Sequence, residues 1–296
     1  MRQRLVIVVI LTFNQEELTS RCLKSFKEVT YPCMEIVVID NDSKDDTEIN
    51  IKREFPKIHF IKSPVNKGVA GGRNLGIQYA ERCFDYDYIL IIDNDTVVER
   101  DFLYLLVQEL ESDHTAGIAT PKIYKLDEKN VIDEVGGTLV NFFTGSTLRM
   151  AHGEIDKGQY DIYQNIPNTV PSGCCCLIRR KVIIDCIGYE EFFYPYGFED
   201  LDFSLRAKIK GYSFCFVPES TIYHLGSKTS FSGYSLRYAE IKGRNLKFFM
   251  KRHCTKKQWI CFNILLPILG LKTLFREIAK GNPLSVFKLA IGYLKR

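Results

Sequence analysis

The sequence predicts an α/β fold, a mainly parallel sheet flanked by helices, with a basic and apolar helical extension at its carboxyl end. Three observations lead there. Short runs of β-branched and aliphatic residues alternate with amphipathic helical patterns, the signature of strand–helix–strand units with right-handed crossovers. Several runs stop abruptly at acidic or amide residues, as strands do where a ligand crevice lies outside their carboxyl ends. Charge is also divided along the chain. From Arg244 onward 12 Lys or Arg face one acid, Glu277, a net of +11, whereas the first 243 residues hold 28 basic and 35 acidic side chains, net −7.

At 296 residues, with 46% hydrophobic and 26% charged side chains, the chain has an ordinary globular composition and the length for one large domain plus an accessory segment. Residues 5–11 read as a first buried strand rather than a secretion signal, because the run lacks a small-residue cleavage site and passes directly into Asn14-Gln15-Glu16-Glu17. The pattern then predicts a helix over 16–28, a strand over 34–39, a helix over 44–55, a strand over 58–61 and a helix over 70–82. A strand over 89–92 ends at Asp93-Asn94-Asp95, and a helix over 100–112 and a strand over 116–122 follow. Residues 127–171 lose periodicity, and a long irregular stretch of this kind reads as binding loops or a lid. Pattern returns with a strand over 174–178, a helix over 179–187 and an aromatic run over 192–198. Next comes a helix opening at Glu199-Asp200, where Leu201, Leu205 and Ile209 recur at helical spacing, and then a strand over 216–224 that closes on His224. The ten cysteines include no Cys-x-x-Cys pair, so their spacing argues against zinc, and Cys174, Cys175 and Cys176 read as small core residues in a reducing compartment.

The strand ends carry the chemistry. Asp93 and Asp95, one residue apart, can both reach a divalent cation whose other positions take phosphate oxygens, although the same residues suit a solvated turn. The loops after the first two strands bring Thr12, Phe13 and Asn14, and Asp40 and Asp42, to that same edge. A carboxylate there can accept from a pyrimidine imide or a ribose hydroxyl, and Phe13 offers an apolar face to a base. The glycine-rich segment holding Asn66, Gly68, Arg73 and Asn74 lets backbone approach a ligand and adds a positive charge, but it has neither a Walker nor a G-x-G-x-x-G order. Glu199 and Asp200 either complement a helix dipole or act on a sugar held against Tyr194, Tyr196 and Phe198. Asp202 and Arg206, four apart, read as a structural pair. His224 is either a hydrogen-bonded rim residue or a partner of Asp95 in a metal or diphosphate site.

In their order, residues 8–14, 37–43, 66–74, 92–95, 173–180, 194–206 and 211–224, with Tyr238 and Arg244-Asn245, make the chain similar to a known family. It resembles the inverting nucleotide-sugar glycosyltransferases of family 2, which have the GT-A fold with its Rossmann-like sheet, and among them the bacterial rhamnosyltransferase-like members. The likeness covers about residues 5–252. It implies that Asp93 and Asp95, with His224, hold Mn2+ or Mg2+ and the donor diphosphate. It implies that Thr12, Asn14, Asp40 and Asp42 hold the nucleoside, with Phe13, Asn66, Gly68, Arg73, Asn74 and Asn94 on the same donor side. Asp200, in the Glu199-Asp200 pair, falls on the general base, and Gly173, Tyr194, Tyr196 and Phe198 fall on the acceptor side. The chain departs from the family at Ser172-Gly173-Cys174-Cys175, where Gly-Ala-small is usual, and at Ile241-Lys242-Gly243, where aromatic residues are usual.

The implied reaction moves a sugar from dTDP-rhamnose or a UDP-sugar to a hydroxyl of a saccharide or polyprenyl-linked saccharide in cell-surface polysaccharide synthesis. Two alternatives have different sequence requirements. A sugar-nucleotide nucleotidyltransferase normally has a Gly-rich loop with Arg and Lys after its first strand, where this chain has Thr12-Phe13-Asn14-Gln15-Glu16. A non-catalytic GT-A-like scaffold has no need of both acid pairs. The expected organisation is a catalytic domain over 1–243, with its nucleotide-sugar half up to about 125 and its acceptor half over 126–243, followed by an amphipathic segment over 244–296. In that segment Pro267 and Gly270 interrupt the apolar run over 259–271, which is shorter than the roughly 20 residues that cross a bilayer, and 284–294 is shorter still. With Lys256, Lys257, Lys272, Arg276, Lys280 and Lys288 around them, these runs read as helices lying on an anionic leaflet, with core packing or a homodimer interface as the alternatives. The expected location is therefore cytoplasmic, peripheral on the inner face of the membrane. The interleaved aliphatic residues argue against nucleic acid as the partner.

Overall fold

In the computed structural model, which describes residues 3–171, 173–226, 236–279 and 282–295, strand β1 (Val6–Thr12) is buried on both faces. That follows from its sequence, because alternate residues of a strand point to opposite sides and both sets here are aliphatic. Val6, Val8 and Ile10 join the core formed with Leu23 and Phe26 of α1 (Glu16–Phe26). Ile7 and Val9 join the core on the other face. There follow β2 (Met34–Asp40), α2 (Thr47–Glu54), β3 (His59–Lys62), α3 (Gly68–Cys83), β4 (Tyr88–Asp93), β5 (Thr96–Val98) and α4 (Phe102–Ser112). Helix α3 lies directly on β1. A Cβ added at Gly72 would stand 2.4 Å from a Leu11 methyl, and one at Gly76 would stand 2.5 Å from a Val9 methyl. Gly72, in the segment expected to let backbone approach a ligand, and Gly76 beyond it both allow close packing of helix on strand.

The second half adds β6 (Ala116–Lys125), β7 (Glu128–Glu134), β8 (Thr138–Asn141), β9 (Ser146–Arg149), β10 (Thr169–Val170), β11 (Cys175–Arg179), α5 (Arg180–Cys186), α6 (Glu199–Ile209) and β12 (Ser213–His224). The large sheet runs β3-β2-β1-β4-β11-β6-β12-β5, with β7 paired to β6. Strands β3, β2, β1 and β4 are parallel as expected. Strand β11 enters antiparallel between β4 and β6, and β5 runs antiparallel to β12, so the sheet is mixed. The reversal of β11 brings its start to the carboxyl end of β4, and with it Gly173 and Cys174. Residues 127–171, expected to be irregular, contain β7 to β10. These strands are short, and the β6–β7 pairing carries two register shifts, which erases the period-two alternation that marks a strand in sequence.

The chain divides into two compact units, Met1–Thr138 with Arg149–Gly226, and Leu139–Leu148 with Ser227–Arg296. The boundary expected after residue 243 falls inside helix α7 (Leu236–His253). In the second unit α7 is followed by α8 (Lys256–Ala279) and α9 (Leu284–Leu294). Helices α7 and α9 touch backbone to backbone, because a Cβ at Gly243 would lie 2.0 Å from the Leu289 carbonyl oxygen and one at Gly292 would lie 1.8 Å from that of Glu240. The apolar run of α8 does not stop at Pro267. The helix continues through it for 24 residues and is, by length and composition, long enough to cross a membrane, contrary to the sequence expectation. Its exposed side carries Ile260, Ile264, Ile268, Leu271, Phe275 and Ile278, three or four residues apart. Helix α9 buries Ser285, Gly292 and Tyr293 and exposes Leu284, Phe287, Ile291 and Leu294, the reverse of a water-facing helix. Met1-Arg2, Ser172 and Lys280 lie outside the described residues, as does the Arg276 side chain.

Candidate active site

Four strand ends meet beside the carboxyl end of β4. The Asp93 amide donates to the carbonyl of Cys174, immediately before β11, at 2.9 Å. Strand β12 pairs with β5 so that His224 lies opposite Thr96, and the Leu225 amide donates to the Asp95 carbonyl at 3.0 Å. Main-chain pairing alone therefore gathers Asp93, Cys174, His224 and Asp95. One ligand atom each from Asp93, Cys174 and His224 lies within 4.8 Å of the others. The His224 ring stands between two acids, with Nε2 3.3 Å from Asp95 and Nδ1 2.9 Å from Asp133 on β7. Asp133 is held in turn by Arg149, whose Nη1 donates to both carboxylate oxygens at 2.8 Å. A carboxylate, an imidazole and a thiol facing one space, with Asp95 beside the imidazole, form a donor set suited to a divalent cation.

Arg73 of α3 joins this cluster to α6. It is 3% exposed, donates from Nη2 to Asp93 Oδ1 at 2.9 Å and to the Gly173 carbonyl at 2.8 Å, and donates from Nη1 to Asp200 Oδ1. Tyr189 packs against the guanidinium, its ring centroid 5.5 Å away. Asp200 in turn lies on Gly173, where a Cβ would meet Asp200 Oδ2 at 2.1 Å, so only glycine at 173 leaves the carboxylate its place. Its neighbour Glu199 is 4% exposed and accepts from the Gly197 amide. The two acids of the pair thus sit differently. Glu199 closes the turn before α6, while Asp200, with a quarter of its side chain exposed, stands beside Asp93.

The fields follow from burial and charge. Burial pushes the Asp93 carboxyl up, against the opposing pull of Arg73. Glu199 is driven well above the carboxylate range by burial and then by the charge of Asp200. Burial likewise pushes the Cys174 thiol up to about 12. For His224 burial favours the neutral ring, yet Cys174, Asp133 and Asp95 together outweigh it and raise the ring's affinity for a proton. Asp133 goes the other way, because hydrogen bonding from His224 and the charge of Arg149 overcome the effect of burial.

On the expected nucleoside side, the loops after β1 and β2 are tied together. The Asn14 amide donates to Ser43 at 2.9 Å, its side-chain oxygen accepts from the Lys44 amide at 2.7 Å, and Asp42 pairs with Lys44 at 2.5 Å, while Phe13 is half-buried. Asp40 is fully buried. Its Oδ1 accepts from the Ser43 amide, but Oδ2 makes no hydrogen bond, and the Lys62 ammonium stands 3.7 Å away. Other expected donor residues face protein. Thr12 and Asn94 share the Thr19 hydroxyl, at 2.8 and 3.0 Å. Asn66 caps the Gly68 amide at 2.8 Å, and Gly68, at φ +70°, lies under Tyr194 and Pro195. Asn74 spends its amide on the Tyr189 main chain and Glu191. Tyr194 is partly exposed, and Tyr196 and Phe198 lead into α6, with Phe198 left-handed at φ +79°. Asp202 and Arg206 form the expected structural pair at 2.7 Å.

Two residues escape sequence reasoning. Asp133 lies in the stretch without alternation, and only its acidity at a β7 position marks it. Cys174, read as core, differs from the buried Cys175 and Cys176 in standing at the rim beside His224.

Residues 7–187, more than half of the chain, match the family described as "Glycosyl transferase family 2". The poly-beta-1,6-N-acetyl-D-glucosamine synthase of Staphylococcus aureus (strain COL) is 24% identical over 228 residues, which is 76% of this chain and 50% of that protein. The synthase of the same name from Staphylococcus epidermidis is 32% identical over 111 residues, 36% of this chain and 26% of that protein. The chain thus spans half or less of the length of these relatives. Among solved structures it is similar to the mannosyltransferase PcManGT from Pyrobaculum calidifontis, solved in complex with GDP-Man and Mn2+. That TM-score is 0.60 at 17% identity, covering 99% of this chain and 74% of the other. GalNAc-T7, solved with UDP, GalNAc and Mn2+, gives a TM-score of 0.59 at 18% identity over 81% of this chain and 48% of the other. At these identities the structural likeness shows the fold, the GT-A fold expected from the sequence. With the family match running from β1 through α5 and the strand ends arranged as described, the chain belongs to glycosyl transferase family 2.

Proposed function

We propose that this protein is an inverting, metal-dependent glycosyltransferase that moves a sugar from a nucleoside-diphosphate sugar to a hydroxyl of a saccharide or polyprenyl-linked saccharide. The observation that carries the reading is the Arg73 bridge, which brings Asp93 and Asp200 from distant parts of the sequence to a single guanidinium. A single displacement needs two kinds of acid on one sugar. The acceptor oxygen attacks the anomeric carbon, the bond from that carbon to the diphosphate oxygen breaks with its electron pair leaving on the diphosphate, and the acceptor's proton passes to a carboxylate. Asp200 is that carboxylate, held in position by Arg73, while Glu199 fixes the turn that carries it. Asp93, Asp95 and His224 are the residues that would hold Mn2+ or Mg2+, which when bound stabilises the departing diphosphate as a Lewis acid. The donor is read as a pyrimidine one, either dTDP-rhamnose or a UDP-sugar, on the acidic loop after β2 that carries Asp40 and Asp42. The test is release of nucleoside diphosphate from a panel of nucleotide sugars with Mn2+, with and without saccharide acceptors. Release from one donor supports the reading, and absence of release from all of them contradicts it.

The second unit is read as the part that meets the membrane, on its cytoplasmic face. Helices α8 and α9 expose aliphatic and aromatic residues and carry Lys256, Lys257, Lys272 and Lys288, a composition that suits an anionic leaflet. The close backbone approach of α7 and α9, with Gly243 against Leu289 and Gly292 against Glu240, is the type of small-residue helix packing that lipid surroundings favour. The probe is sedimentation with phosphatidylserine vesicles at low salt. Binding that Ile264→Glu with Ile268→Glu abolishes supports the assignment. A soluble homodimer that ignores vesicles contradicts it.

A further inference from the structure

The cluster beside β4 differs from an all-oxygen cation site in two ligands, the imidazole of His224 and, less usually, the thiol of Cys174. The strand pairing that places its carbonyl on the Asp93 amide at 2.9 Å also sets its side chain beside the same edge, within 4.8 Å of ligand atoms of Asp93 and His224. The His224 ring is already oriented, because Nδ1 is engaged by Asp133 at 2.9 Å, which turns Nε2 toward the Asp95 side of the cluster, 3.3 Å from that carboxylate. A carboxylate, an imidazole held by a second carboxylate and a thiol make up the three-ligand set of an open zinc site, in which the fourth position takes water or substrate. Hard ions such as Mn2+ and Mg2+ gain little from sulfur, whereas Zn2+ and Co2+ gain much, and divalent affinities in mixed N, O and S sites rise from Mn2+ toward Zn2+ in any case.

We propose that Asp93, Cys174 and His224 form a thiophilic metal site that binds Zn2+ or Co2+ through the Cys174 sulfur in preference to Mn2+. The inference rests on the reading that a divalent cation is held here, and adds which metals the site selects and by which ligand. When the ion binds, the S–H bond gives its electron pair to the metal and the proton leaves to solvent, so one proton is released per metal bound at this sulfur. Tetrahedral ligands at zinc distances lie about 3.5 Å apart, so the cluster contracts by about an ångström as it closes. The absence of Cys-x-x-Cys spacing does not bear on this site, since its ligands come from three strand ends rather than one loop.

The test is a titration of the full chain with Co2+ alone, followed by absorption, in wild type and Cys174→Ser. Wild type is expected to show a sulfur-to-cobalt charge-transfer band that one equivalent of Zn2+ removes. Cys174→Ser is expected to lose the band and to bind Zn2+ at least tenfold more weakly, with Mn2+ binding, read by the resonance of free Mn2+, within about threefold of wild type. If Cys174→Ser does not fold, protection of Cys174 from alkylation by Zn2+ in wild type, read by peptide mass spectrometry, takes its place. A band equal in both proteins, or an unprotected Cys174, overturns the proposal. Mn2+ binding without any thiolate band also overturns it while leaving the cation reading intact, and failure of every ion to bind ends both.

Discussion

Asp93 at the end of β4 and Asp200 in the first turn of α6 are joined by one guanidinium, with Arg73 donating from Nη2 to the first at 2.9 Å and from Nη1 to the second. Two acids at the rim of one cleft repel each other unless a cation stands between them, and Arg73, 3% exposed, is that cation. Arg73→Met leaves the acids uncompensated and is expected to cost about 3–5 kcal/mol of folding stability, together with turnover. Arg73→Lys keeps the charge but lacks the planar fork that reaches both acids and the Gly173 carbonyl, so it should fold better than Arg73→Met and still lose turnover. Denaturant unfolding beside a transfer assay checks this, and wild-type stability in Arg73→Met would refute it.

Gly173 sets the position of Asp200. With Asp200 Oδ2 only 2.1 Å from where a Cβ would be, Gly173→Ala must displace the carboxylate. Misplacement of a reacting group by about an ångström costs on the order of a hundredfold in rate. The expected outcome is that loss in kcat with donor affinity changed by less than about threefold, read by steady-state kinetics and calorimetry. An unchanged kcat would show that the base lies elsewhere.

Glu199 makes stability depend on pH. Burial first, and then the charge of Asp200, push it from 4.5 up to about 8. Between those values the folded chain keeps a proton that the unfolded chain gives up. Its stabilising contribution is therefore complete below about 4.5 and is lost as pH rises through about 8. Wild type should lose up to a few kcal/mol between pH 5 and 8 that Glu199→Gln retains. Parallel stability profiles of the two proteins would contradict the assignment.

Asp133 holds the His224 ring through Nδ1 at 2.9 Å and is itself fixed by Arg149. Asp133→Asn keeps the shape and loses the charge. Mn2+ affinity should fall about 10–100-fold, as when the outer partner of a ligating histidine is removed, together with a loss of folding stability because Asp133 is buried and also paired with Arg149 and His152. Equal Mn2+ affinity would separate His224 from the cation.

The doubly apolar strands β1, β2 and β4 are legible in sequence to within a residue or two, because burial on both faces leaves a continuous aliphatic run that little else produces. The acids at their ends are legible for the same reason, since charge directly after such a run has no core to enter. Side-chain direction is not legible. Thr12, Asn94 and Asn74 fit a donor loop equally well facing ligand or protein, and tertiary contacts turned them inward. Asp133 was hidden by the register shifts of β7. Helix α8 is masked in sequence by Pro267, which ordinarily breaks a helix, although the exposed apolar period continues on either side of it, at Ile264 and Ile268.

Asp200→Asn tests the proposed role of Asp200 in taking the acceptor's proton, with donor binding and transfer measured on the same preparation. Transfer should fall by about 10²–10⁴-fold while the nucleotide sugar binds with nearly the affinity of wild type. Retained transfer, or lost donor binding with normal single-turnover chemistry, would contradict it.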